Sequence, residues 1–434
     1  MKSVWWCLLM MMAAGVMSVS DGAAQEYTLK DLYQQALNNS EIIKFAEENV
    51  YIAQLGRNKA VSLLIPRVTA FGTYSRFSEE KYTMAGTLIQ PEESGTWGIR
   101  ADQAFSLSAR EWDALKIAGQ SIVKSEYDLS WAKSDFVVAV AASYYDVLKA
   151  KRALEIAAAN LERLTQYRYF VERRVSVGEL TKTALLRAAG ELSGARADYL
   201  RATNAFKLSR AALIRITGIE ENFQLREEEE ATLPKPYALD LLKKTALASR
   251  TDLKSYDLQT QIAAKQVKYA RGAFWPSLGV FAIYNRADQN PATAALNRES
   301  ILAGVSLNFP FFEGGLRIAE LKEAKARQRQ AQWVYEDLKK DVDVELTGAY
   351  LELETLKGSL TFLRDQQLFA EDNYNAVLRQ LDHGLATSLD VMDANTLLLS
   401  AQRNVADALY NYQMAHLKMK RSSGTLLEFV ASNP

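Results

Sequence analysis

The stretch from Ile65 to Arg76 reads IPRVTAFGTYSR, and the stretch from Trp275 to Arg286 reads WPSLGVFAIYNR. A proline, a phenylalanine, a tyrosine and an arginine recur in place in these two stretches, which lie 210 positions apart. Upstream residues match at the same distance: Leu29, Leu32, Ala36 and Leu37 match Leu239, Leu242, Ala246 and Leu247. A match at a fixed distance indicates that the chain contains two copies of one structural unit.

Further along the chain, matching residues lie 206 positions apart, and this distance stays constant from Gly98 and Gly304 to Gly218 and Gly424. The change of four residues therefore falls between Arg76 and Gly98. Insertions are tolerated best at exposed loop tips, so this segment is predicted to contain the tip of a hairpin.

The sequence of each copy predicts the same series of helices and strands. The first copy is expected to contain a helix from Leu29 to Leu64, extended segments at 67–77 and 96–107, a long helix from Arg110 to Val175, and a third helix from Leu180 to Thr217 that ends at Gly218. The organisation predicted for the chain is a signal peptide at 1–24, a first repeat at 25–226 with its strand pair at 66–107, a connector at 227–236, a second repeat at 237–426 with its strand pair at 276–312, and a C-terminal tail at 427–434.

The third helix of each copy carries apolar residues at alternating spacings of three and four. Leu185, Ala188, Leu192 and Ala195 begin the first series, and Val391, Ala394, Leu398 and Ala401 begin the second. This spacing is typical of a coiled-coil seam, and the frequent alanines allow the helices to approach closely. An ordinary soluble helical bundle has the same spacing, but a helix of about 100 Å, as predicted from Arg110 to Val175, suits a periplasm-spanning structure better.

The N-terminus and the composition restrict the class of protein. Lys2, an apolar stretch from Val4 to Val19 and small residues at 22–24 predict a signal peptide cleaved before Gln25. An N-terminal membrane anchor is the alternative, but the apolar stretch is short for a membrane span. The single cysteine, Cys7, lies inside it, so the mature chain has no thiol chemistry. Basic and acidic residues both number 52, which gives no reason to expect a nucleic-acid partner.

The prediction that the protein spans a membrane rests on the four extended segments. Segments of about 9–11 residues suit tilted transmembrane strands. Four strands cannot close a barrel, and open strand edges are not tolerated in lipid, so closure requires several copies of the chain. Three copies give twelve strands, which is enough for a water-filled pore. A soluble four-stranded sheet is the alternative for these segments alone.

Other classes of protein fit the sequence less well. His383 and His416 are the only histidines, the chain has no phosphate-binding glycine loop and no G-x-S-x-G motif, and an enzyme is therefore not expected. A periplasmic coiled-coil scaffold without a pore is compatible with the heptads, but the duplicated strand pairs argue against it.

Taken together, these features resemble the TolC-type outer-membrane efflux proteins over essentially the whole mature chain. The resemblance is carried by the repeat itself, by the stretch Val305 to Leu316 with its Gly314-Gly315 pair, and by Gly384 followed by Asp390-Val391-Met392-Asp393-Ala394. It implies an internally duplicated α+β membrane protein of the Gram-negative outer membrane, in which long helices form a tunnel in the periplasm and four strands per chain contribute to a 12-stranded barrel in a homotrimer. It also implies contact with outer-membrane lipid, a periplasmic adaptor and an inner-membrane pump of the RND, ABC or MFS type. Drug efflux, metal export and type I protein secretion share this fold.

The resemblance also assigns roles to residues near the two predicted helix turns. Asp390 and Asp393 match aspartates that form rings at the entrance constriction. The tips at which adaptors dock match Val177, Gly178 and Thr181 in the first copy, and Gly384 and Thr387 in the second. The alternative for the aspartates is a solvated surface pair.

Four positions depart from the family's pattern at these turns. His383 replaces a valine, Ala386 replaces a basic residue that can tie the closed entrance, Leu381 replaces a tyrosine, and Ala184 replaces a carboxylate. The entrance is therefore not expected to be held by the family's usual ion pairs.

Overall fold

The computed structural model describes residues 25–227, 238–293 and 296–432. The predicted signal peptide at 1–24, nearly all of the predicted connector at 227–236 and the last two residues of the tail lie outside the described residues.

Two helices of 67 residues dominate the chain, α3 (Arg110–Ser176) and α7 (Leu316–Asp382). At about 1.5 Å per residue, each is about 100 Å long. Each is followed by a shorter helix, α4 (Lys182–Thr217) after α3 and α8 (Ser388–Ser422) after α7. The long helix predicted from Arg110 to Val175 is confirmed, because α3 differs from it by one residue.

The prediction of one continuous first helix in each copy is wrong, because the structure has two shorter helices there. The expected helix from Leu29 to Leu64 is α1 (Leu29–Asn39) and α2 (Glu41–Ser62), separated by Ser40. Serine favours helix ends because its side chain competes for backbone hydrogen bonds.

The second copy breaks at the equivalent residue, between α5 (Leu239–Ser249) and α6 (Thr251–Gly272). Here the break is at Arg250, whose buried guanidinium donates to Asp252 at 2.7 Å and to Glu345 at 2.8 Å. The local contact with Asp252 and the tertiary contact with Glu345 together outweigh the helix propensity of arginine.

One antiparallel sheet contains four strands in the order β2-β5-β7-β8. The strands are β2 (Arg67–Arg76), β5 (Glu93–Ser106), β7 (Ser277–Asn290) and β8 (Glu299–Asn308). The central pair, β5 with β7, joins one strand from each sequence repeat, and in the described part of the chain β2 and β8 are each paired on one side only. The longer connection of the two hairpins is 77–92, which contains the short strands β3 (Lys81–Tyr82) and β4 (Leu88–Gln90). This connection lies within the segment where the sequence predicted an insertion at a hairpin tip.

The register gives the sheet one apolar face and one mostly polar face. Directly paired residues of an antiparallel sheet share a face. Val280 pairs with Val305, Tyr284 with Ile301, and Leu278 with Leu307. The same face continues through Ile99, which pairs with both Ala70 and Tyr284. The opposite face carries many polar side chains, among them Thr69, Arg100, Asp102, Asn285 and Ser300.

Three small elements complete the described fold. Strands β1 (Gln25–Tyr27) and β6 (Phe223–Leu225) form a parallel pair, and α9 (Leu426–Ser432) follows α8. In the described ranges, none of the helices has the length and hydrophobicity needed to cross a lipid bilayer.

The chain divides into two compact units that do not coincide with the sequence repeats. One unit comprises the described residues of Met1–Glu41, Lys133–Leu242 and Leu346–Pro434, and the other comprises Ile42–Ala132 and Lys243–Glu345. The second unit contains the four-stranded sheet. The first contains the turns α3–α4 and α7–α8, with the C-terminal parts of α3 and α7. Each unit therefore draws on both sequence repeats.

Candidate functional site at the helix turns

Both turns between a long and a short helix have the same backbone. At the first turn, the Glu179 amide donates to the Arg174 carbonyl at 2.9 Å, and the Gly178 amide donates to the Val175 carbonyl at 3.1 Å. At the second turn, Leu385 donates to Gln380 at 2.8 Å and Gly384 to Leu381 at 3.1 Å. This pair of bonds defines a Schellman motif, which requires a residue with positive φ. Gly178 has φ of 79° and Gly384 has φ of 72°, so each glycine supplies the positive φ that its turn requires, while the docking role of the two turns stays a prediction.

The helices that follow the turns begin with threonine caps that differ in completeness. The Thr387 side chain accepts from the Asp390 amide, and the Asp390 carboxylate accepts from the Thr387 amide at 2.7 Å and from its hydroxyl at 2.6 Å. This is a complete capping box. In the first copy, Thr181 accepts from the Ala184 amide at 3.3 Å, but alanine has no carboxylate to return a bond.

The two predicted constriction residues have different surroundings. Hydrogen bonds from the Thr387 side chain, and then from its backbone, hold the pKa of the Asp390 carboxyl below its ordinary value. Asp393 is exposed in the next turn of α8. The structure thus brings Asp390 together with the predicted docking residue Thr387, and gives Asp390 a structural task as a helix cap. The constriction role of Asp390 and Asp393 stays a prediction.

Beneath the turns, four helices share one hydrophobic core. Its buried residues come from α3, α4, α7 and α8, and include Val171, Leu192, Leu381 and Leu398. Two buried polar pairs cross this core: Tyr167 donates to Ser388 at 2.9 Å, and the Asn395 amide donates to the Asn160 side chain at 3.0 Å. Paired polar groups in a core fix the register of the helices around them.

An ion pair that the sequence did not predict connects the two turns. Arg174 Nη2 lies 2.5 Å from Asp382 Oδ1, and it also donates to the Asp382 carbonyl at 3.2 Å. Arg174 Nε lies 3.5 Å from Glu179, and the guanidinium lies 4.7 Å from the centre of the Phe170 ring. The residues that make this connection differ from Ala184 and Ala386, where the family's pattern places charged groups.

The chain belongs to the outer membrane efflux protein family. The model of that family matches residues 32–219 and 242–425, one range within each of the two predicted repeats. The protein is therefore an efflux channel of the Gram-negative outer membrane that works as part of an efflux system. It is a transporter and not an enzyme, and the channel prediction is confirmed over the scaffold alternative.

Several known proteins are similar to this chain along most of its length. Outer membrane protein TolC of Vibrio cholerae is 22% identical over 97% of this chain and 96% of its own. Cation efflux system protein CusC of Escherichia coli K12 is 24% identical over 91% of this chain and 86% of its own. The crystal structure of the Campylobacter jejuni CmeC outer membrane channel aligns with a TM-score of 0.81 and 17% identity, covering 92% of this chain and 86% of that one.

Proposed function

We propose that three copies of this chain, each cleaved before Gln25, join their sheets into one closed, twelve-stranded barrel that forms an export duct. The observation that carries this proposal is the sheet itself. Its continuous apolar face suits lipid, its opposite face suits a water-filled lumen, and the edges β2 and β8 are unpaired in the described part of the chain. An unpaired edge in lipid leaves backbone amides and carbonyls unsatisfied, at several kcal/mol for each group.

Exposed apolar side chains support the lipid-facing assignment. Ile301 is 82% exposed and Val305 is 68% exposed, and both lie on the apolar face of the edge strand β8. Val68 on the apolar face of β2 is 67% exposed. Burial of apolar area is favourable by about 25 cal/mol per Å². These side chains therefore favour a membrane over water.

The helical part of the duct is assigned to the passage across the periplasm. We infer that the two turns dock a periplasmic adaptor, through Val177, Gly178 and Thr181 at one turn and Gly384 and Thr387 at the other. An inner-membrane pump of the RND, ABC or MFS type would supply the energy. Val177 is 69% exposed, which supports a contact surface at the first turn.

Engineered disulfides test the closure of the sheet. Since Cys7 lies in the predicted signal peptide, the mature chain offers a background free of cysteine. Cysteine at Thr73 in β2, combined with cysteine in turn at Ser300, Leu302 or Gly304 in β8, is expected to give covalent dimers and trimers in membranes for at least one pair.

A matched pair inside one sheet controls for nonspecific oxidation. Thr96 and Ala287 face each other in the β5–β7 register, so cysteines at these positions should form a disulfide within one chain and leave its mass unchanged. Absence of covalent oligomers for every β2–β8 pair, while the Thr96–Ala287 control oxidises, would contradict the closed barrel.

A further inference from the structure

A cavity lies on the polar face of the four-stranded sheet, wholly within one compact unit. Its volume is about 500 Å³, and side chains from three neighbouring strands line it. The lining residues are Arg67, Thr69 and Phe71 of β2, Arg100 and Asp102 of β5, and Ile283 of β7. Under the proposed function this face of the sheet lines the lumen, so the cavity opens toward the path of the cargo.

Three of these residues, Arg67, Arg100 and Asp102, are the only charged side chains on the polar face of the four strands, all of whose residues the structure describes. The Nε atom of Arg100 donates to both carboxylate oxygens of Asp102, at 2.8 Å each. In the described part of the chain, the Nη atoms of Arg100 have no acceptor, and Arg67 makes no hydrogen bond or close ion pair. With two cations and one anion, the cavity attracts a further anion.

Two phenylalanines place aromatic surface beside these charges. Phe71 pairs with Gly98 in the register, and a Cβ atom at Gly98 would lie 2.8 Å from Cζ of Phe71. Phe281 pairs with Gly304, where a Cβ atom would lie 2.6 Å from Cζ of Phe281. Each ring therefore leans across a glycine of the next strand and turns one of its faces to the space above the sheet. The Arg100 guanidinium lies 5.6 Å from the centre of the Phe281 ring, so the cation and the aromatic surface are adjacent.

The two sequence repeats agree at the aromatic rings and differ at the charges. Phe71 and Phe281 occupy equivalent positions. The counterparts of the three charged residues in the second repeat are all neutral: Ser277, Ser306 and Asn308. Strands β7 and β8 pair in a continuous register without these charges, so the fold of a strand pair does not require them. The charges of the first repeat therefore indicate recognition of a ligand.

We propose that this cavity is a binding site for planar aromatic anions, such as aromatic sulfonates and carboxylates, on their passage through the duct. The anionic group accepts hydrogen bonds from Arg67 and from the Nη atoms of Arg100, and such charge-assisted bonds are among the stronger ones. The ring of the ligand stacks on Phe71 or Phe281. The proposal rests on the proposed function, which places the polar face of the sheet in the lumen, and it adds a class of cargo.

Equilibrium dialysis of the detergent-solubilised mature protein against naphthalenesulfonate tests the proposal. The parent and its variants are compared at one detergent concentration, so that partition of the probe into micelles cancels. Arg67→Gln and Arg100→Gln should each weaken binding by about tenfold, since each removes charge-assisted hydrogen bonds to the anion. Asp102→Asn should strengthen binding, because it removes a competing anion and leaves the whole guanidinium of Arg100 to the probe.

Matched controls separate recognition from general attraction of anions. Arg76→Gln removes a cation from β2 on the opposite face of the sheet, where Arg76 pairs with Glu92 at 2.8 Å, and should leave binding unchanged. Methanesulfonate has the charge of the probe without its ring, and it should compete at least about tenfold more weakly than unlabelled naphthalenesulfonate. The double variant Phe71→Leu with Phe281→Leu should weaken binding of naphthalenesulfonate and leave binding of methanesulfonate unchanged.

Three results would overturn the proposal: equal competition by methanesulfonate, binding that Arg67→Gln and Arg100→Gln leave unchanged, or weaker binding to the Asp102→Asn variant. Because the cavity lies within a single chain, dialysis does not depend on closure of the barrel. Single-channel recording in planar bilayers reports separately on the duct, where naphthalenesulfonate added on the barrel side should block the current. A protein that binds the probe but forms no channel would contradict the proposed function alone, and a conducting channel that does not bind the probe would contradict the site alone.

Discussion

The two helix turns have the same backbone but different side-chain chemistry. Gly178 and Gly384 have φ within about 10° of each other, and the same pair of backbone hydrogen bonds surrounds each. The capping carboxylate is present at Asp390 and absent at Ala184, and the ion pair between the turns uses Arg174 from one and Asp382 from the other. The duplicated sequence thus preserved the geometry of the turns, while their charges diverged.

The largest effect is expected from the feature that the turns share. Gly384→Val places a β-branched residue at φ of 72°, which L-residues avoid at a cost of about 1–2 kcal/mol or more. No heavy atom lies within 4 Å of the added Cβ, so backbone strain alone causes the effect. We expect less export and less adaptor crosslinking, with heat-resistant oligomers unchanged on gels.

Gly178→Val should behave like Gly384→Val, because its backbone conformation is the same. Gly384→Asn is the milder control, since asparagine tolerates positive φ better than other non-glycine residues. Normal export by both valine variants would show that the turns do not take part in docking.

A smaller effect is expected from breaking the connection between the turns. Arg174→Ala and Asp382→Ala should each raise the resting conductance in planar bilayers, because each removes the ion pair. Asp382 is more than half exposed, so solvent screens the interaction and its contribution is about 1 kcal/mol or less. If Arg174 and Asp382 act through one ion pair, the double variant should have the same resting conductance as either single variant. Increases in conductance that add fully in the double variant would contradict the ion pair between the turns.

The two aspartates of α8 can be separated by their effects. Asp393→Asn should lower the cation preference of the channel and leave the start of α8 intact, because Asp393 is exposed and outside the capping box. Asp390→Asn should lower the cation preference and also weaken the cap. Two measurements together distinguish these outcomes: ion selectivity in planar bilayers reports on the constriction, and amide hydrogen exchange over 382–396 reports on the helix cap. If the double variant Asp390→Ala with Asp393→Ala keeps the cation preference of the parent protein, neither aspartate lines the constriction.

The smallest effect is expected at the N-terminus of α4, where Ala184 lacks the carboxylate that would complete a capping box. Ala184→Asp should complete a capping box with Thr181 and slow amide exchange over 178–188. The pKa of Asp390 is lowered in the fold, so its cap is present above the unfolded carboxyl's pKa and is lost as pH falls through the folded value. With Ala184→Asp, amide exchange over 178–188 should depend on pH in the same way as at the Asp390 cap. Exchange that does not change on substitution would contradict the idea that the first cap lacks only a carboxylate.

The sequence was sufficient for features that depend on local patterns. The repeat, the long helices, the C-cap Gly218 and the positive φ of Gly178 and Gly384 follow from spacing and residue type. The capping box could also have been predicted, because Thr387 and Asp390 stand three apart before an apolar run, but Asp390 was interpreted as a constriction residue or a solvated surface residue and not as a helix cap.

Contacts between distant residues were out of reach. Arg174 and Asp382 lie 208 positions apart, and Tyr167 and Ser388 lie 221 apart, so no local pattern joins them. The break at Arg250 depends on Glu345, 95 positions away. Such pairs depend on how helices pack, which heptad spacing alone does not determine.

Native mass spectrometry of the detergent-extracted mature protein tests the central claim, the closure of three sheets into one channel, most directly. The account predicts a complex of three chains that survives in detergent and loses its native mass when the detergent is removed. A single chain that stays folded in water without detergent would contradict it, because the apolar face of its sheet and the edges β2 and β8 would then need no second copy.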